Sequence, residues 1–473
     1  MGQIDSETSD TRHITMHLRP LFIVTIAHIT AAMIFLCPLN AQNISTIGLL
    51  HPEQETNRPL RPYTDTASAL ELGAPQLAEM SMEPQSFAND GLSASDFRTP
   101  EFDDTLLNQN KNDFNAVPEF SGGIVIIADK AAMKVGGFIK ADFISDLAPI
   151  DSEDSFVTTE IPVGAADHKN ARFHAKQSRL SFDTRWRVEE DIARAFIEAD
   201  FFGGGDGSNG SLRLRHAYGT LGRFTAGQTW TTFTDPSAVP QTLDFEGAVS
   251  NVNRRQGLVR FIQPLGRSGW SFATSLEDPT VIIEVPTGLS GQGRTESPDV
   301  ITHLRWESDY AETQSALVLR KLGFQPTGGS VITGTAWGIN ITGSVHLTDC
   351  TRVYSQLTVG EGIGSYRGSP DIVSTGPNSA AILPMFGWMI GCKQAWSDRV
   401  TSNLTFSQLT LDDLPGQSGS NLRQTKYLAI NTIFNPYDRI FAGAEYLYGV
   451  RENQDLRQAD AHRIQVSFGF YLP

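Results

Sequence analysis

Residues 196–230 read FIEADFFGGGDGSNGSLRLRHAYGTLGRFTAGQTW, and apolar and charged side chains alternate along them with a period of two. Ala195, Ile197, Ala199 and Phe201 fall on one side, with Glu198 and Asp200 on the other. Leu212, Leu214 and Tyr218 then oppose Arg213 and Arg215. Neighbouring side chains of a strand face opposite sides, whereas a helix at about 3.6 residues per turn would mix these sets. The segment therefore reads as three strands, each with one apolar and one charged face. A long loop with little to pack, 203–211, separates the first two, and a tight turn at Leu221, Gly222 and Arg223 separates the last two.

The same pattern recurs from Met133 to the end. Sixteen alternating runs lie near 133–146, 172–185, 192–202, 211–220, 223–231, 255–264, 269–277, 299–307, 312–322, 332–347, 350–360, 383–396, 399–410, 423–434, 439–450 and 462–471. Each is about ten residues long, the length a tilted strand needs to cross a bilayer. Their connections alternate between long polar loops and short turns. A soluble sandwich has no reason to sort its loops in this way. A barrel inserted from one side does, with short turns in the periplasm and long loops outside. The final run sets Ile464, Val466, Phe468 and Phe470 against Arg463, Gln465, Ser467 and Gly469. The fold class expected is all-β: a sixteen-stranded antiparallel transmembrane β-barrel over 121–473, preceded by a disordered N-terminal segment.

Composition agrees where it bears on this reading. The 473 residues include 42 Gly and 27 Phe with only 19% charged side chains, which suits a β-rich protein whose outer surface is not fully wetted. The net charge of −16 is unevenly placed, because residues 43–120 hold 13 acidic and 4 basic side chains. The remainder is nearly balanced, and nothing suggests a nucleic-acid surface.

Two segments precede the barrel. The apolar run 21–37, with His17 and Arg19 before it and Pro-Leu-Asn-Ala after it, has the parts of a secretory signal ending near Ala41. A single membrane anchor is the alternative for 1–41. Residues 42–120 are rich in Pro, Ser, Thr, Asn, Asp and Glu and lack either period, so they bury too little to offset chain entropy and read as a disordered acidic periplasmic segment. Cys37, Cys350 and Cys392 form no CxxC or Cys/His cluster, so no metal site or cofactor is expected; Cys350 and Cys392 are either a disulfide or two separate thiols.

The stretches KVGGFIKADFISD (134–146), SFVTTEIPV (155–163), QSRLSFDTR (177–185), FIEADFFG (196–203), LRLRHAYGTLGRFTAGQTWTTFTDP (212–236) and HRIQVSFGF (462–470) together resemble the DcaP-like porin family. The resemblance runs from about Phe120 to the end. It implies a trimeric, sixteen-stranded channel in the outer membrane, surrounded by lipid and admitting small anionic solutes such as dicarboxylates.

A pore selects by its diameter and by the fixed charges at its narrowest part. Strand parity turns Arg179, Arg213 and Arg215 inward, with Glu198 and Asp200 beside them. Arginine keeps its charge and offers a planar fork of donors matched to carboxylates, so such a row would attract and orient dianions. The competing reading is a salt-bridge lattice that braces the wall. Residues 232–255 form the loop expected to fold into the lumen as a constriction carrying Asp244, Glu246, Arg254 and Arg255; as an ordinary surface loop it would leave these four in solvent. His216 shares a face with Leu214 and Tyr218 and is expected opposite Gln228. Two polar side chains against lipid are costly, so this pair is assigned to a subunit contact.

Enzymatic signatures are absent: there is no HExxH, GxSxG or P-loop, and the single GGGDGSNGS stretch is not a calcium-binding repeat. The sequence therefore points to a passive outer-membrane porin for small organic anions. The alternative is a non-transporting surface barrel that acts as an adhesin or anchor.

Overall fold

In the computed structural model, the described residues are 124–128 (backbone only), 131–189, 191–414 and 417–472. The signal and acidic segments expected over 1–120 lie outside them. Sixteen strands form the wall. The first eight are β1 (Ala131–Asp146), β2 (Arg179–Val188), β3 (Asp191–Gly203), β4 (Ser211–Leu221), β5 (Phe224–Trp230), β6 (Arg255–Pro264), β7 (Trp270–Glu277) and β8 (Asp299–Glu307). The second eight are β9 (Ala311–Pro326), β10 (Ile332–Thr348), β11 (Thr351–Glu361), β12 (Pro384–Ser397), β13 (Val400–Leu411), β14 (Leu422–Tyr437), β15 (Ile440–Asn453) and β16 (Gln458–Tyr471). Each pairs antiparallel with its sequence neighbour, and β16 returns to β1 through Phe138↔Tyr471 to Asp146↔Arg463, which closes the cylinder. Closure removes the unpaired edge that an open sheet would present to lipid.

Parity separates two environments as expected. Ile139, Phe143, Ile197, Val259, Leu276, Ile341, Phe468 and Phe470 are exposed on the outside, while Lys140, Asp142, Glu198, Asp200, Arg320, Asn340, Glu445 and Arg463 are buried within. In water each exposed large apolar side chain would forgo about 1.5–3 kcal/mol of burial. Hydrocarbon around the barrel removes that cost.

Strand lengths differ from the expected ten. The runs from β9 to β16 reach 11 to 17 residues, so the connections after β9 and β15 shrink to 327–331 and 454–457. These hairpins extend past the thickness a ten-residue strand spans, and of two connections expected to be long polar loops, 451–461 is mostly and 323–331 partly paired strand.

A bulge corrects one expectation. On β3 and β4, Glu198 pairs with His216 but Ala199 pairs with Leu214, leaving Arg215 as an extra residue. An extra residue reverses the alternation beyond it. Arg213 and Arg215 point inward, Leu214 faces out, and His216 and Tyr218 return to the inside. His216 is 1% exposed, with its Nδ1 3.0 Å from Thr229 Oγ1. The lipid-facing polar pair therefore does not exist, and the reason for placing His216 at a subunit contact goes with it. Across the turn it is Ala217, not His216, that pairs with Gln228. Gln228 Nε2 donates to the carbonyls of Leu214 and Arg215 at 3.3 and 3.2 Å, satisfying the backbone that the bulge disrupts. Gly227 allows β5 to approach there: its φ is +127°, and a Cβ would lie 2.3 Å from the Ala217 carbonyl.

Three loops enter the lumen and share an apolar cluster with the inner wall. Ile150, Phe156 and Ile161 come from 147–178, Phe233, Val249 and Val252 from 231–254, and Ile363 and Tyr366 from 362–383. They pack against Ile301, Val318, Tyr354, Met385, Leu409 and Leu447 of the wall. Part of the interior is thus a packed core rather than a water-filled tube.

Candidate channel constriction

The inward loop 231–254 is fixed by hydrogen bonds along most of the wall. His303 Nδ1 lies 2.9 Å from the Thr232 carbonyl; Asn340 donates to Phe233 O at 2.8 Å, Gln356 to Ser250 O at 2.8 Å and Asn431 to Gln241 O at 2.8 Å. Lys140 Nζ and Gln465 Nε2 both donate to Leu243 O, at 2.6 and 3.0 Å, and Asp244 N donates to Glu445 at 2.6 Å. These ties run from β8 round to β1. Towards β3 and β4 the contact changes to the ring of Phe245, stacked 4.0 Å from Phe202 and lying under the guanidinium groups of Arg213 and Arg215.

Between that stretch of wall and the loop lies a cavity of about 230 Å³ whose lining includes Arg179, Arg213, Arg215 and Arg255, with Trp230 and Phe245, and across from them Asp244 and Glu246. Two acids stand behind the four arginines. Asp200 accepts from Arg213 at 2.6 Å and Arg215 at 3.0 Å, and Glu198 accepts from Arg215 at 2.5 Å. Arg179 reaches Glu198 only at 3.9 Å, and its buried Nε and Nη1 have no hydrogen-bond acceptor among the described residues. Arg255 stacks on Trp230 at 4.4 Å from the ring centroid and joins none of the ion pairs among the described residues. Buried charged donors without an acceptor are costly, more so than the roughly 1–3 kcal/mol of a neutral group, and an entering anion would relieve that cost.

The acids on the loop are otherwise engaged. The Asp244 carboxylate accepts from the N–H groups of Phe156, Glu246 and Gly247 at 2.8, 3.0 and 3.0 Å, so it shapes a turn. Burial raises its pKa above the ordinary value, against the pull of Arg463 and those N–H groups. Glu246 pairs with Arg367 of loop 362–383 at 2.9 Å. Arg254 turns away from the cavity lining and donates to Gln256 and to the Ser365 carbonyl at 2.8 and 2.6 Å.

The structure thus gathers Arg179, Arg213, Arg215 and Arg255 around one opening, places Glu198 and Asp200 behind them, and directs Arg254 elsewhere. Loop 362–383 was missed as part of this arrangement. Its signal in the sequence is Tyr366-Arg367 between small residues in a long loop, where bulky side chains need something to pack against. Cys392 is a free thiol, so no bond joins it to Cys350.

A closed sixteen-stranded barrel with an apolar outer face, a polar lumen and an infolded loop is an integral outer-membrane protein of the porin and channel class. Residues 105–268 match the model of the DcaP outer membrane protein family. The match takes in the arginine-bearing wall and the inward loop, so over that stretch the chain is similar to DcaP-family proteins. It is similar in fold to the outer membrane channel DcaP of Acinetobacter baumannii, with a TM-score of 0.67 and 22% identity over 74% of this chain and 100% of that one. An anion-selective porin from Comamonas acidovorans superposes with a TM-score of 0.52 at 9% identity, over 72% of this chain and all of its own. No curated protein matches the chain.

Proposed function

We propose that the protein is a passive channel for small organic anions, dicarboxylate-like in size and charge, acting as a homotrimer in the outer membrane. The observation that carries this reading is the charge imbalance at the opening. Four arginines line one side, two acids stand behind them, and the loop acids opposite are held by backbone N–H groups and by Arg367. A planar guanidinium with free donors suits a carboxylate that sheds part of its water on entry. Arg179 and Arg255 are assigned to capture the solute, and Arg213 and Arg215, held by Asp200 and Glu198, to keep the field positive. No bond chemistry is assigned to the lumen. The shared fold with the anion-selective porin from Comamonas acidovorans is consistent with this reading.

The test is single-channel recording of the purified protein in a planar bilayer, with dicarboxylates titrated into chloride. The expected result is a concentration-dependent reduction of chloride current by succinate-sized dianions, weaker for the matching monoanion and absent for a neutral solute of equal size. A second reading, a non-transporting barrel that anchors or adheres, is favoured by the apolar cluster that three loops build inside the lumen. A protein that inserts but stays electrically silent would establish that reading instead.

A further inference from the structure

Loop 362–383 enters the lumen and sets one side chain against the constriction. Arg367 is 8% exposed, and each nitrogen of its guanidinium has a separate task. Nε donates to the Val249 carbonyl at 2.7 Å, Nη1 donates to Asn253 Oδ1 at 2.8 Å, and Nη2 lies 2.9 Å from Glu246 Oε1. All three partners belong to the inward loop. Glu246 itself lines the cavity that holds the four wall arginines, and is the one loop acid there whose carboxylate is not held by the loop's own N–H groups.

The charges around the opening can then be compared with and without this contact. Arg179, Arg213, Arg215 and Arg255 face Glu198 and Asp200 behind them and Asp244 and Glu246 across from them, so the formal charges of those eight groups cancel. A net cationic opening requires that one acid be compensated from outside the set, and Arg367 does this. We infer that Arg367 is a specificity-determining, positioning residue: by holding the Glu246 carboxylate it keeps that acid from offsetting the arginine row. It need not touch the permeating ion. The inference rests on the anion-channel reading for its purpose, but the effect it predicts is a difference between variants whatever the sign of the parent's preference.

The rest of the loop gives the contact a firm base. Arg254 Nη1 donates to Ser365 O at 2.6 Å, and Asp371 accepts from Arg320 at 3.1 Å and from Ser365 N at 2.9 Å, so the turn bearing Arg367 is tied both to the inward loop and to β9. Removing the guanidinium should therefore change the charge at the opening more than the course of the loop.

The experiment measures zero-current potentials in a potassium chloride gradient for the full-length protein and for Arg367→Ala, Arg367→Lys, Glu246→Gln and the double variant Arg367→Ala/Glu246→Gln. Arg367→Ala is expected to lower the chloride-to-potassium permeability ratio about three-fold, the scale of one charge acting across several ångström of high-dielectric space. Glu246→Gln should raise the ratio, Arg367→Lys should keep most of it, and the double variant should return to the parent value within error. An unchanged ratio in Arg367→Ala overturns the inference. So does a fall that Glu246→Gln does not restore, because that fall would come from a displaced loop. If Arg367→Ala fails to fold, the comparison of Glu246→Gln with the parent decides alone, an unchanged or lowered ratio overturning the claim. A parent protein without anion preference would count against the proposed function, while the ordering of the variants would still decide the role of Arg367.

Discussion

Two walls of the barrel use arginine in opposite ways. On β8 to β11 every inward arginine is closed off: Arg305 meets Asp235 at 2.7 Å and Glu312 at 2.5 Å, Arg352 meets Glu312 at 3.0 Å, and Arg320 meets Asp299 at 2.9 Å and Asp371 at 3.1 Å. Their partners include loop residues, so these pairs fasten the infolded loops to the wall. On β2 to β6 the ratio is reversed: four arginines stand beside two acids, Glu198 and Asp200, which pair closely with Arg213 and Arg215 and leave Arg179 and Arg255 without a close carboxylate among the described residues. The side chain and the lumen are the same. Whether an arginine braces the barrel or is left open to the lumen depends on how many acids surround it, and parity alone does not report that number.

The difference can be broken from either side. The largest expected effect is on the bracing wall: Arg320→Ala leaves Asp299 and Asp371 buried without their cation, which should cost about 3–5 kcal/mol. Burial already raises the pKa of Asp371, and Arg320 works against that rise. Urea unfolding of the variant in lipid, followed by tryptophan fluorescence, checks the loss; full stability would show that the pair braces nothing.

Next in size, Arg179→Ala with Arg255→Ala should reduce the chloride-to-potassium permeability ratio about ten-fold, two charges acting across a wet opening. Stability should stay within about 1 kcal/mol of the parent, because neither residue has a close ion pair to lose. A stability loss as large as that of Arg320→Ala would erase the distinction between the walls.

Much of this was readable in the sequence, and the reasons differ by element. The sixteen strands were legible because each buries one face in the lumen and turns the other to lipid, which forces period two throughout. The infolded loop was legible from its length, its prolines and its late charges. The bulge at Arg215 left a single mark, the consecutive polar pair Arg215-His216, which strict alternation turns into a lipid-facing His216, and so His216 was put on the wrong face. The partner of Glu246 was also hidden, since Arg367 lies more than a hundred residues away and meets it only when two loops fold into one space.

A moderate effect is expected where the loop meets β1. Lys140 Nζ donates to Gln177 at 2.5 Å and to Leu243 O at 2.6 Å, and sits 2.6 Å from Asp142. Lys140→Met should release this end of the inward loop, seen as larger fluctuations in open-channel current with the anion preference kept. Loss of the preference would place Lys140 in the selecting set instead.

The smallest effect concerns pH at the mouth. Burial alone would raise the pKa of Asp154, but Lys176, Arg172 and the Gly207 N–H outweigh it and hold the carboxylate below its ordinary 3.8. A depressed pKa in the folded state means that the stabilisation is present above the unfolded value and is lost as pH falls through the folded one. Protease nicking within 204–210 should therefore be unchanged between about pH 8 and pH 5 and rise only in stronger acid. Nicking that rises at neutral pH would show that this clamp does not hold the loop.

The central claim is that the opening beside β2 to β6 is cationic. The zero-current potential of the unmodified protein in a potassium chloride gradient tests it most directly. The account predicts a potential of the sign set by chloride flow, whereas a value near zero or of the potassium sign would contradict it.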